Sequence, residues 1–288
     1  VDGGGGDDLI TTGEGADTVD GGSGNDTIFG GLGPSFPDGL NTPDDGTGPF
    51  GPDPDPENGR DLLDGGTGDD QIFGEDDDDT LIGGGGNDTL DGGIDNDDLS
   101  GGVGADILVG GQGDDTLDGE GDDDTLTGGT GNDVFVEAAG EGADLITDFG
   151  AGNTGSITDG DQTNNDFVDL SGFYNATTLD AVNTADADPS NDFDDALSML
   201  RADAADGQID GVIDGTDFSA QIGDVDLTIQ NGGAAVSGAD LTFDTTNVAC
   251  FVRGTLIATR QGLRAIEDLS AGDEVITMDH GFQKIRWI

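Results

Sequence analysis

A nine-residue period governs this chain. The pattern Gly-Gly-x-Gly-x-Asp-x-U-x, with U apolar, starts at residues 3, 12 and 21. It resumes at 56, 65, 74, 83, 92, 101, 110, 119 and 128. The sixth position is Asp in every unit: Asp8, Asp17, Asp26, Asp61, Asp70, Asp79, Asp88, Asp97, Asp106, Asp115, Asp124 and Asp133. The eighth is apolar in every unit, from Ile10 and Val19 through Leu90 and Leu99 to Phe135. A single unit has no partner for its one apolar side chain, so a stable fold requires units to stack on one another.

The period also changes the meaning of the composition. The chain has 288 residues, 64 acidic against 7 basic, and a net charge of −57. Charge of that size with few large apolar residues is ordinarily a signature of disorder. Regular placement offers another use for the carboxylates, as cation ligands. Glycines at positions one, two and four permit positive φ, so the chain turns sharply and aims carbonyls inward. A carboxylate at position six joins them. Ligation by oxygen alone suits a hard cation, and Ca²⁺ accepts six to eight such ligands in flexible geometry. The twelve position-six aspartates are therefore the candidate ligands, for several Ca²⁺ ions. Asp77, Asp95 and Asp122 replace glycine at position four, and Glu57, Glu75 and Glu120 at position two. Those units are expected to be weaker.

The charge excludes other classes. A surface this negative repels phosphate, so nucleic acid is not an expected partner. No apolar run is long enough for a membrane span. One cysteine rules out an internal disulfide framework. The chain begins at Val1 inside the glycine pattern and ends at Trp287-Ile288 inside an apolar run, and a fragment at both ends is the expectation.

With these residues in place, the repeats resemble the hemolysin-type calcium-binding nonapeptides of the RTX family. The resemblance implies a parallel β-roll, two nonapeptides per turn, with Ca²⁺ between turns. It also implies a secreted, extracellular protein exported by type I secretion machinery. Cytosolic Ca²⁺ is too scarce for weak all-oxygen sites, whereas extracellular modules work at about 10⁻⁴–10⁻³ M.

Composition divides the rest. Residues 1–29 form a short repeat segment, and 30–55 an insert rich in Pro, Gly and Asp. Residues 56–149 form the main roll, closed by a cap around Gly142, Asp144, Ile146 and Phe149. Residues 150–249 read as a small α+β module. In it 166–170 alternate like a strand, Ser190 heads a helix with Phe193, Leu197 and Leu200 on one face, and 225–231 pairs with 239–243 as a hairpin. Asp206, Gln208, Asp210, Gly211 and Asp217 approach an EF-hand spacing, but Gln and the final Asp depart from it. A polar turn series between short strands is the other reading.

The last 39 residues, 250–288, are neutral. Short strands are expected at Thr255–Thr259, Leu263–Ile266, Glu274–Thr277 and Gln283–Ile288. Cys250, Gly254-Thr255, Ile257, Thr259, Gly262, Glu267-Asp268-Leu269, Gly272-Asp273 and Val275 resemble the first part of a Hint (hedgehog/intein) domain. The resemblance implies that Cys250 is the catalytic nucleophile, attacking the carbonyl of Ala249. The Thr-x-x-His block that assists this step in the family is absent from 250–288, and His280 in Met278-Asp279-His280-Gly281 does not fit it. This stretch alone is expected to be inactive. The fold class expected overall is predominantly all-β: a parallel β-roll, the small α+β module, and the start of an all-β Hint domain. A non-catalytic adhesin or stalk is the alternative function.

Overall fold

The structure is a computed structural model. It describes residues 1–13, 15–31, 59–150, 166–185, 193, 196–223, 225–231, 233–236, 241–242 and 246. In the last segment it describes the four strands Leu256–Thr259, Gly262–Ala265, Glu274–Thr277 and Gly281–Lys284.

Each nonapeptide supplies one short strand: β1 (Leu9–Thr11), β2 (Thr18–Ser23), β3 (Thr27–Phe29), β4 (Leu62–Thr67), β5 (Gln71–Glu75) and β6 (Thr80–Gly85). They continue as β7 (Thr89–Ile94), β8 (Asp98–Val103), β9 (Ile107–Gln112), β10 (Thr116–Gly121), β11 (Thr125–Thr130) and β12 (Val134–Val136). Odd strands form one parallel sheet and even strands the other. In β6 and β8, Leu81 lies beside Leu99 and Gly84 beside Gly102, so one turn of the coil takes 18 residues, two nonapeptides. This is the parallel roll expected of the repeats.

The period explains the layering. Side chains alternate across a strand, so position eight and the next position one face inward while seven and nine face out. From Ile28 through Leu117 the position-eight side chains are fully buried. Ile10, at the open first turn, is the one left 8% exposed. The core is thus a single file of interdigitated aliphatic side chains between two sheets, thin enough for short units to fill. The turns need glycine at one place above all. A Cβ on Gly104, at φ +133, would stand 1.8 Å from the carbonyl oxygen of Gly86 in the turn below. Where Asp or Glu replaces glycine the backbone stays at positive φ but closer to the left-handed helical value: φ is 71° at Asp77 and 76° at Asp95, against 133° at Gly104, and 84° at Glu75.

Between β2 and β4 the register is 44 residues, not 18: Val19 lies beside Leu63 and Gly22 beside Gly66. The 26 extra residues interrupt neither sheet, and the segments before and after the insert stack directly.

Both sheets also run past the composition change near residue 150. β13 (Asp144–Ile146) pairs with β11, and β14 (Phe167–Val168) pairs with β12. After α1 (Ala176–Ala185), α2 (Ala196–Asp203) and the short strands β15 (Val212–Ile213) and β16 (Thr216–Asp217), β17 (Leu227–Asn231) lies parallel to β13, placing Ile229 beside Ile146. Leu197, Met199 and Leu200 of α2 are buried in the same apolar cluster as the last repeat side chains. Ser190 lies outside the described residues. The antiparallel partner of β17 is Ala234–Ala235; of 239–243 only 241–242 are described, with Leu241 buried. Helix α1 has no expectation behind it. Asn175 heads it, its Oδ1 accepting from the N–H of Thr177 (2.9 Å) and Thr178 (3.2 Å).

The stretch 206–217 forms the turn series. Val212–Ile213 and Thr216–Asp217 pair antiparallel, with Gly211, Asp214 and Gly215 at positive φ. Buried Asp203 organises it, accepting from the N–H of Asp210 and Gly211 and from the hydroxyl of Tyr174. Asp217 is exposed and accepts from the N–H and hydroxyl of Ser219. In the C-terminal segment the four strands make an antiparallel sheet, with Leu256–Thr259 between Gly262–Ala265 and Glu274–Thr277, and Gly281–Lys284 outermost. Among the described residues no helix is long and apolar enough to cross a membrane.

Candidate metal centre

Stacking at 18-residue register brings the position-six aspartates into two files, one along each edge of the roll. The first runs Asp8, Asp26, Asp70, Asp88, Asp106, Asp124; the second runs Asp17, Asp61, Asp79, Asp97, Asp115, Asp133. In each file the N–H of one aspartate donates to Oδ1 of the next, as from Asp70 to Asp88 (2.7 Å) and from Asp79 to Asp97 (2.8 Å). Asp8 and Asp17, in the first turn, are half-buried, and the other ten are buried.

The second oxygen sets these groups apart. Oδ2 of Asp8, Asp26, Asp70, Asp79, Asp88, Asp97, Asp106, Asp115, Asp124 and Asp133 is buried and makes no hydrogen bond. It lies against the first glycine of its own unit, beside the carbonyl of the first glycine one turn on. A Cβ on Gly83 would stand 2.6 Å from Asp88 Oδ2 and 2.5 Å from the carbonyl oxygen of Gly101. The same pair surrounds Gly101, where Asp106 Oδ2 and the Gly119 oxygen lie at 2.6 and 2.9 Å. Glycine is needed here because the space a side chain would take is lined by oxygen.

An ionised oxygen with no donor, out of water, is unfavourable by several kcal/mol. Burial accordingly pushes the position-six carboxyls from Asp61 to Asp133 up, against the N–H bonds that lower them, with neighbouring carboxylates adding to the rise. Asp97 is raised to about 10, Asp79 to about 8, and Asp88, Asp115 and Asp124 to about 7. Asp61, Asp106 and Asp133 rise to about 6. Such a file needs protons or cations. Its donor set, a carboxylate oxygen with carbonyl oxygens, fits the hard cation expected from sequence. Among the described residues no three His, Cys, Asp or Glu side chains converge on one ion position. Whatever ligand shell forms must therefore draw on backbone carbonyls.

Two features escaped the sequence reading. Each file runs one aspartate beyond the twelve units, the first to Asp144, which the sequence places only in the cap, and the second to Asp166. Asp124 N–H donates to Asp144 (2.9 Å) and Asp133 N–H to Asp166 (3.2 Å). Here the protein itself answers more of the carboxylate. Gly150 N–H donates to Asp166 Oδ2, and Asp144 shares a hydrogen bond with Glu137, whose burial raises it to about 9. At Asp144 the signal was a unit out of phase by two, residues 139–147, with Gly140 and Gly142 at positive φ; at Asp166 it was Asp-x-U alone, in Asp166-Phe167-Val168. Position five carries a second, exposed ladder of opposite direction. Asn25 N–H donates to Asp7 Oδ1 (3.0 Å), Asn87 N–H to Asp69 (2.9 Å) and Asn132 N–H to Asp114 (2.9 Å). A few of the remaining carboxylates, Asp7, Asp69, Asp78, Asp114 and Asp123, are thus structural. Cys250 and His280 lie outside the described residues.

Comparison with known proteins agrees with this architecture. The family model described as RTX calcium-binding nonapeptide repeat (4 copies) matches residues 2–36, 57–90, 64–99, 73–108 and 100–135. The Hint domain model matches residues 249–288. No curated protein matches the chain. The chain therefore carries RTX calcium-binding nonapeptide repeats along its roll and a Hint-domain segment at its C-terminal end.

Proposed function

We propose that this is a secreted RTX protein whose twelve position-six aspartates, Asp8 through Asp133, hold rows of Ca²⁺ that fold the roll outside the cell. The observation that carries this reading is the row of buried Oδ2 atoms without a donor. Bound Ca²⁺ supplies positive charge that neutralises those oxygens and ties successive turns together. The chain's own part is to aim the carboxylates by N–H donation and to keep the glycine space open. Equilibrium dialysis of the full chain against millimolar Ca²⁺ is expected to find several bound ions. Asp97→Asn, in the middle of one file, is expected to lower that number. No binding at millimolar Ca²⁺ would overturn the reading.

The Hint segment adds a second activity in a chain that carries the complete domain. The thiolate of Cys250 attacks the Ala249 carbonyl carbon. The C–N bond breaks, the departing amine takes a proton, and a thioester joins Ala249 to the sulfur. Water then adds to the thioester, leaving a carboxylic acid at Ala249 and restoring the thiol. Expression of such a chain is expected to release a fragment ending at Ala249, detected by mass spectrometry. Cys250→Ala is expected to abolish it. Equal cleavage of the variant would assign the cut to an external protease.

A further inference from the structure

The periodic pattern places one nonapeptide at 56–64 and leaves Gly30-Gly31-Leu32-Gly33 as the start of an aborted one. The structure joins the two. Gly30 and Gly31 follow β3, and Gly59, Arg60 and Asp61 lead into β4, so the missing halves complete each other. Gly30 occupies the first-glycine slot. A Cβ there would stand 2.4 Å from Asp61 Oδ2 and 2.8 Å from the carbonyl oxygen of Gly74, the first glycine one turn on. The uninterrupted unit at Gly65 has Asp70 Oδ2 at 2.5 Å and the Gly83 oxygen at 2.8 Å. Gly110 has Asp115 Oδ2 at 2.3 Å and the Gly128 oxygen at 2.7 Å. Gly59 takes the position-four slot, its N–H donating to Asp77 Oδ2 (2.6 Å). Asp61 is 5% exposed and continues the Oδ1 ladder of its file, accepting from Asp17 N–H (2.7 Å) and donating to Asp79 Oδ1 (2.7 Å).

We propose that residues 30–31 and 59–64 form one discontinuous nonapeptide, interrupted only at position three, and a complete Ca²⁺ site, whose glycine half and carboxylate half come from stretches of chain on either side of residues 32–58. The proposal rests on the calcium reading above. A cation responds to where oxygens stand, not to the path of the chain between them. Only position three is replaced, and the cost of closing a longer loop grows slowly with its length. The repeat thus accepts an insertion at position three without losing a site, where an insertion between positions four and eight would part the carboxylate from its strand.

Ca²⁺ bound per chain, measured by equilibrium dialysis on the full chain, tests this, with circular dichroism in saturating Ca²⁺ reporting the fold. Replacing residues 32–58 by a single glycine is expected to leave the count unchanged. Gly30→Val, which fills the oxygen-lined space, and Asp61→Asn are each expected to lower it by one ion. If Asp61 instead binds through its contiguous neighbours at 56–60, the deletion removes an ion and Gly30→Val does not, and the proposal falls. Should Gly30→Val fail to fold, the deletion decides alone: a retained count supports the split site and a lost ion overturns it. A parent chain that binds no Ca²⁺ overturns the calcium reading itself, which is a separate result.

Discussion

Chelating Ca²⁺ at about pH 7.5 is expected to turn the far-ultraviolet dichroism of the full chain from β-sheet toward coil, and millimolar Ca²⁺ is expected to restore it. The size of the change follows from the two files of aspartates. From Asp26 to Asp133 each position-six carboxylate is at least 95% buried, and all but Asp61 have an Oδ2 that no donor reaches. Ionising one such group without a counter-charge costs several kcal/mol. A domain of this size has about 5–15 kcal/mol of stability to lose. Two or three uncompensated groups already exhaust it, and the roll has ten buried ones. The aliphatic file cannot compensate, being one side chain thick. Mg²⁺ is expected to restore less at equal concentration, because it demands near-octahedral ligands at short distance and gives up water reluctantly. A β-sheet spectrum that persists unchanged in chelator would sink the prediction.

What the sequence made legible here was whatever the period itself determines. An aspartate and an apolar residue two places on, repeated every nine, dictate a strand, a turn and a stacking direction, because each unit's neighbours are copies of itself. The Oδ1 ladder and the single-file core follow from that. The split unit at Gly30 and Asp61 was not legible, because the period cannot know that position three faces outward and tolerates an insertion. Asp144 was legible as part of the cap but not as a member of the file, because its unit at 139–147 is out of phase by two, and Asp166 was missed. Before Asp166 no glycine stands at positions one, two or four of a unit, and only Asp-x-U remains. β14 and β17 were legible as strands from the patterns at 166–170 and 225–231, but not their pairing onto β12 and β13, because the edges they join are a tertiary cause outside the local pattern. The Hint strands were legible within a few residues, since Gly262 and Gly272 punctuate them. The final strand forms at Gly281–Lys284, earlier than expected.

Without calcium, acidification is expected to do part of calcium's work. The buried carboxyls are raised from the ordinary value of 3.8 by loss of solvation, to about 6 at Asp61, Asp106 and Asp133, about 7 at Asp88, Asp115, Asp124 and Asp166, and about 8 at Asp79. A group whose pKa is higher folded than unfolded holds its proton better in the folded chain. Its contribution to stability is complete below about pH 4 and disappears as pH rises through the folded value. The metal-free chain should therefore gain β-structure from about pH 8 down to about pH 5, as protons fill the files, with Asp97, raised to about 10, filling first. Protonation also lowers the overall negative charge that keeps the apo chain open. With calcium present the dependence has the opposite sign. Protons and Ca²⁺ compete for the same oxygens, so calcium affinity should fall over that same interval. Thermal melts at pH 5 and pH 8, each with chelator and with Ca²⁺, decide the matter. The expected pattern is a chelated chain more stable at pH 5 than at pH 8, and a calcium-induced gain that is larger at pH 8. A chelated chain more stable at pH 8 would show that the carboxylate files are solvated when metal-free, and that burial is not what makes calcium necessary.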